Sequence, residues 1–192
     1  MKPYLLAASL LGFANAGVAD ESASKLAVVT TYADIAQAKF EDSLSSAMRL
    51  ESAVQALILG PSQARLETAR RAWISARVPY QQTEVFRFGN AIVDDWEGKV
   101  NAWPLDEGLI DYVDTNYGGP SDENALAALN VIANPKFVLS GKTIDATQIT
   151  PQLLETTLHE VDGIEANVAT GYHAIEFLLW GQDLHGHSAG AG

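Results

Sequence analysis

The sequence predicts an all-α protein: a helical bundle with a long irregular segment between its second and later helices. Two periodic stretches and the break between them carry this reading. Over residues 20–59, apolar or small residues fall at Leu26, Val29, Ala33, Ala36, Phe40, Leu44, Ala47, Leu50, Val54 and Leu57. These steps of three or four line one face of a long helix. Gly60-Pro61 stops it, because glycine accepts the left-handed cap and proline cannot continue the ladder. Ser62 then caps a second helix that carries Leu66, Ala69, Trp73, Ala76 and Tyr80 towards Phe88. Pro79 should kink that helix or break its hydrogen bonds locally. Two long helices joined by so short a turn run antiparallel, as at the start of a bundle.

The remaining elements follow in order. Residues 89–120 are rich in Gly, Asp, Trp, Tyr and Pro, show no sustained period, and are expected to be irregular. Residues 121–133 read as a short helix ended by Asn134-Pro135, and 137–148 as an extended piece or a turn. Thr150 as N-cap with Pro151 at the first helical position opens a helix over about 152–161. Gly163 interrupts, and a last helix runs from about Val168 to Trp180, closed by Gly181.

The two ends are expected to stand apart from this domain of residues 20–184. Lys2, the apolar run from Tyr4 to Phe13, and the small residues Ala14-Asn15-Ala16 and Gly17-Val18-Ala19 read as a cleaved signal peptide over residues 1–19. The apolar run is too short to span a bilayer of about 30 Å, and no other transmembrane segment is predicted. Export to the periplasm, with outer-membrane association as a further option, is the expected localisation. The tail 185–192 is small, glycine-rich and expected to be flexible. A net charge of −12 repels nucleic-acid phosphates, so no nucleic-acid partner is expected. The chain has no cysteine, which excludes disulfides and thiolate metal sites.

The residues that could carry chemistry form two groups. His173 and Glu176 lie three apart on the last helix, so they leave the same face and can share one ion. An imidazole nitrogen and a carboxylate oxygen suit Zn²⁺, Fe or Cu. Chance produces His-x-x-Glu in many helices, but the flanking Tyr172, Ala174, Ile175, Phe177, Leu178, Leu179 and Trp180 are apolar nearly all round. A carboxylate buried there needs a cation or donors. On the second helix, Trp73, Arg77, Tyr80, Glu84 and Phe88 recur at steps of three or four. Arg77 and Glu84 could form a structural ion pair in this aromatic stripe. Alternatively, Glu84 reaches the ion and Arg77 orients it or a substrate. Asp106 and Glu107 stand out among the carboxylates of the middle, whereas His159 reads as a surface position. No His-Glu-x-x-His, Gly-x-Ser-x-Gly or P-loop motif is present.

The run Gly171-Tyr172-His173-Ala174-Ile175-Glu176-Phe177-Leu178-Leu179-Trp180-Gly181-Gln182-Asp183 resembles the GxHxxE signature of the imelysin family. Pro79 to Asn90 and Val100 to Tyr112 resemble the iron-regulated branch of the same family, and the likeness extends in order over nearly the whole chain after residue 19. The resemblance implies an exported all-α protein, built from two bundle-like halves and linked to iron or other divalent metals. It also implies metal ligands at His173 and Glu176, an upstream ligand at Glu84, and a further one at Asp106. Family chains are about twice this length, so this chain is expected to correspond to the first half. Three functions fit: binding of a divalent ion (Fe or Zn, with Cu a third option) in iron uptake or homeostasis; a metal-dependent peptidase; and a helical scaffold without metal. The partners expected are the ion and, beyond it, a peptide substrate or iron-transport components.

Overall fold

The structure is a computed structural model that describes residues 16–117 and 119–184. The signal-peptide reading falls outside these residues up to position 15, and the tail reading lies wholly outside them. Among the described residues, six α-helices and one two-stranded hairpin follow one another: α1 (Ala16–Leu59), α2 (Gln63–Gln81), α3 (Ala91–Val100), α4 (Glu107–Ile110), β1 (Lys136–Leu139), β2 (Lys142–Asp145), α5 (Pro151–Leu153) and α6 (Gly171–Trp180). The all-α reading holds. The chain divides into two compact units, one ending at Ala38 and the other beginning at Lys39. The first is helical from Ala16 onward; all packing described below belongs to the second. No helix among the described residues is long and apolar enough to cross a membrane.

α1 and α2 meet as the periodicity requires. Leu50 and Val54 of α1 pack with Ala72, Ala76 and Tyr80 of α2. Lys39 Nζ reaches back to Gln82 Oε1 at 2.9 Å, which fixes the antiparallel direction. Ser62 caps α2 by accepting from Arg65 N–H. α2 then stops seven residues short of Phe88. Beyond Pro79 the ladder tightens into three-residue bonds, with Thr83 N–H to Tyr80 O at 2.8 Å and Arg87 N–H to Glu84 O at 3.1 Å. The chain leaves as a 3₁₀ turn over Glu84–Phe86.

Three other expectations are corrected. The middle segment is not irregular throughout, because α3 and α4 lie within it. Residues 121–133 form turns rather than a helix. Their backbone N–H groups are committed elsewhere: Asn130, Val131 and Ile132 donate to the carbonyls of Gly108, Leu109 and Ile110 at the end of α4. The helix expected over 152–161 is a single turn, α5, followed by a π turn over Leu154–Leu158 that ends with His159 N–H on Leu154 O at 2.9 Å. The extended option at 137–148 is realised as the β1–β2 hairpin, with Ser140 and Gly141 both at positive φ, as a primed two-residue turn demands.

α6 is the element around which the core gathers. Ala174 and Phe177 pack with Leu105, Ile110 and Val168. On another side, Tyr172 packs with Leu50, Ala76 and Tyr80. α6 runs antiparallel to α2, since Arg70 Nε donates to Leu179 O and Trp73 Nε1 to Tyr172 O, both at 2.9 Å. Its first residue must be glycine: Gly171 has φ +88°, and a Cβ there would stand 2.6 Å from Val100 O. His159 is not a surface residue. It is half-buried, with Nε2 3.2 Å from Gly98 O and Nδ1 3.2 Å from Thr170 Oγ1, and so links the end of α3 to the start of α6.

Candidate functional site

α6 places His173 and Glu176 on one side, as their spacing predicts. His173 Nδ1 lies 3.0 Å from Glu176 Oε2, with the two side chains 18% and 43% exposed. The Trp103 ring stands against the imidazole, 4.9 Å between centroids. Both residues line a cavity of about 640 Å³ that Asn101, Trp103, Glu107 and Asp183 also border. Neither Lys nor Arg is among its lining residues within the described chain. The Glu107 carboxyl is pushed above its ordinary range, first by burial and then by the charges of Asp183 and Glu176. Glu107 opens α4, its own N–H donating to Tyr117 Oη at 3.0 Å.

The other sequence-predicted residues are placed differently. Glu84 lies on the 3₁₀ turn after α2, is exposed, and does not line the His173 cavity. Its charge bears instead on Tyr80, whose phenol is pushed upward by burial first and then by Glu97 and Glu84. Asp106 also turns elsewhere. Its carboxylate accepts from Asn124 Nδ2, which also donates to Asn167 Oδ1 at 2.8 Å, in a buried polar clamp that joins three loops. Arg77 makes no ion pair with Glu84. Its guanidinium lies 5.1 Å from the centres of both Tyr80 and Tyr172 and 5.7 Å from that of Trp73. It donates to Asn101 Oδ1, and Asn101 donates in turn to Glu97 Oε1 at 3.0 Å. Arg77 thus reaches the cavity wall through one intermediary, Asn101.

Asn101, Trp103 and Asp183 are cavity residues that sequence reasoning does not single out, and Glu107, which it marks beside Asp106, lines the cavity although the ligand expectation falls on Asp106. Glu107 stands one position from Asp106, and only the direction of the short α4 decides which of the two faces inward. Asp183 ends the GxHxxE run itself, two residues past the Gly181 stop.

The donor chemistry fits a divalent cation: one imidazole, with carboxylates in excess around it and no competing ammonium or guanidinium. The set is not closed. Among the described residues, no group of three or more His, Asp or Glu side chains is arranged to hold an ion together. The chain supplies a pair of donors in contact and two further carboxylates on the same cavity wall.

Fold and site together define an all-α protein with an acidic His-x-x-Glu cavity beneath its last helix. Residues 36–191 match the sequence model of the imelysin family, Peptidase_M75, and the chain belongs to that family. A relative named iron-regulated protein A, from Synechococcus elongatus, is 38% identical over 79 residues, which are 41% of this chain and 20% of the relative. The matched stretch spans about a fifth of that relative's length.

Proposed function

We propose that this chain binds a divalent cation, Fe or Zn, in the His173 cavity and serves iron uptake or homeostasis outside the cytoplasm. One observation carries the reading: His173, Glu107, Glu176 and Asp183 border a single cavity with neither Lys nor Arg among its described lining residues. A bound cation would neutralise carboxylates that otherwise oppose one another's ionisation, as the raised Glu107 carboxyl illustrates. His173 would hold the ion with Glu176 in contact beside it, Glu107 and Asp183 would balance its charge, and Arg77 would stiffen the wall through Asn101. The link to iron rests on family membership and on the name of the cyanobacterial relative. Export rests on the apolar run and small residues that open the sequence. Cu remains an option by donor type alone.

The test is elemental analysis of the purified full chain after exposure to Fe²⁺ or Zn²⁺ and removal of excess ion. The expected result is close to one equivalent of metal, lost in His173→Ala. Equal metal content in the two proteins contradicts the reading. The same preparation assayed for peptide cleavage, with and without chelator, separates binding from the peptidase activity in the family's description; chelator-sensitive cleavage assigns the site to catalysis instead.

A further inference from the structure

The contact between His173 and Glu176 decides which ring nitrogen is offered to a ligand. Building on the metal reading above, the geometry points to Glu176 as a positioning residue: its carboxylate accepts a hydrogen bond from His173 Nδ1–H and leaves the Nε2 lone pair for the cation. An ionised carboxylate can only accept, so at 3.0 Å the shared proton belongs to Nδ1. A neutral imidazole carries one N–H, and Nε2 therefore keeps its lone pair. No partner for Nε2 is found among the described residues, although His173 lines the cavity.

The ring is held in two ways. The hydrogen bond fixes its rotation, and the Trp103 ring, 4.9 Å away and inclined at 56°, covers it from one side. Nδ1 is also the ring nitrogen nearer the helix backbone, and Nε2 the outer one. The i,i+3 spacing that lets the two residues share an ion equally lets them bind each other. An ion held by both Nδ1 and Oε2 would have to replace the proton now between them. In the positioned arrangement nothing need be displaced. A carboxylate behind a ligating histidine sets its tautomer and raises its basicity, and removing such a partner typically costs about 10–100-fold in metal affinity.

Two measurements on the full chain test this. In metal-free, ¹⁵N-labelled protein at a pH where His173 is neutral, long-range ¹H–¹⁵N spectra should show the Nδ1–H tautomer. That preference should weaken in Glu176→Leu. A wild-type Nε2–H tautomer overturns the proposal. In Zn²⁺ titrations, Glu176→Gln retains an oxygen acceptor for Nδ1–H and should lose less than about 10-fold in affinity, against 10–100-fold for Glu176→Leu. Glu176→Gln falling as far as His173→Ala makes Glu176 a direct ligand and also overturns the proposal. If wild type binds no Zn²⁺, the metal reading fails, and the tautomer alone decides whether Glu176 positions the imidazole.

Discussion

The two sides of α6 differ in size and in chemistry: the larger is mostly apolar, with Glu51, Lys99 and Glu155 among its lining, and the smaller gathers one histidine and three carboxylates. Gly171, Tyr172 and Ile175 border a groove of about 1060 Å³ whose walls include Phe40, Leu44, Trp96 and Val100. His173, Glu176 and Trp180 border the cavity of about 640 Å³ that gathers Glu107 and Asp183. One residue of rotation about a ten-residue helix separates the two environments. Volume alone would select the apolar groove; charge, hydrogen bonding and the raised Glu107 carboxyl select the other side. Size reports where the fold leaves space, and chemistry reports what the space can hold.

The largest expected effect comes from disturbing both sides at once. Gly171→Ala forces a Cβ towards Val100 O at a φ of +88° and should cost about 3 kcal/mol or more in urea denaturation. Both cavities depend on where α6 starts, so metal affinity should fall with stability. Unchanged affinity in the destabilised variant would show that the polar side is set independently of the helix start.

A smaller effect is confined to the polar side. Glu107 has a folded-state pKa above its ordinary value of 4.5. Its contribution to stability is complete below the unfolded pKa and is lost as pH rises through the elevated folded one. Metal-free wild type should therefore lose stability from the ordinary carboxylate range upward. Glu107→Gln should lack this component and melt higher at neutral pH. Melting curves between acidic and neutral pH check it; a Gln variant that melts lower at neutrality would mean that the ionised carboxylate is already compensated.

The smallest effect belongs to the α1–α2–α6 core. Tyr80 is fully buried, and its hydroxyl finds no hydrogen-bond partner among the described residues. Tyr80→Phe removes a group whose desolvation is uncompensated, so stability should be unchanged or rise by up to about 1 kcal/mol. A clear loss in urea denaturation would reveal a partner for the hydroxyl.

The parts of the fold that the sequence states are those with sustained apolar character: the stripes of α1 and α2 and the nearly all-round apolar α6, with explicit stops at Gly60-Pro61 after α1 and Gly181 after α6. α3 escapes because Ile92, Val93, Trp96 and Val100 are interleaved with Asp94, Asp95, Glu97 and Gly98, which read locally as loop. The helix expected over 121–133 fails for the opposite reason. Ala125, Leu126, Ala128 and Leu129 favour a helix, but Asn124 and Asn130 find better partners: Asp106 and Asn167 for the first, Gly108 O for the second. At the site, the His173–Glu176 pairing is local and therefore legible. Glu84 does not join the cavity because α2 ends at Gln81, two residues past Pro79, and Glu84 opens a 3₁₀ turn instead of continuing the stripe. Glu107 comes to the cavity of His173 only through the packing of the four-residue α4 near α6, which no spacing encodes.

The central claim is that a divalent cation binds on the polar side of α6 and not in the larger groove. The most direct measurement compares the Zn²⁺- and Fe²⁺-induced rise in stability of wild type, His173→Ala and Leu44→Ser, the last altering an exposed wall of the groove. At an ion concentration 100 times Kd, wild type and Leu44→Ser should each gain about 2.7 kcal/mol, and His173→Ala should gain nothing. Equal gains in all three proteins, or no gain in wild type, would contradict the account.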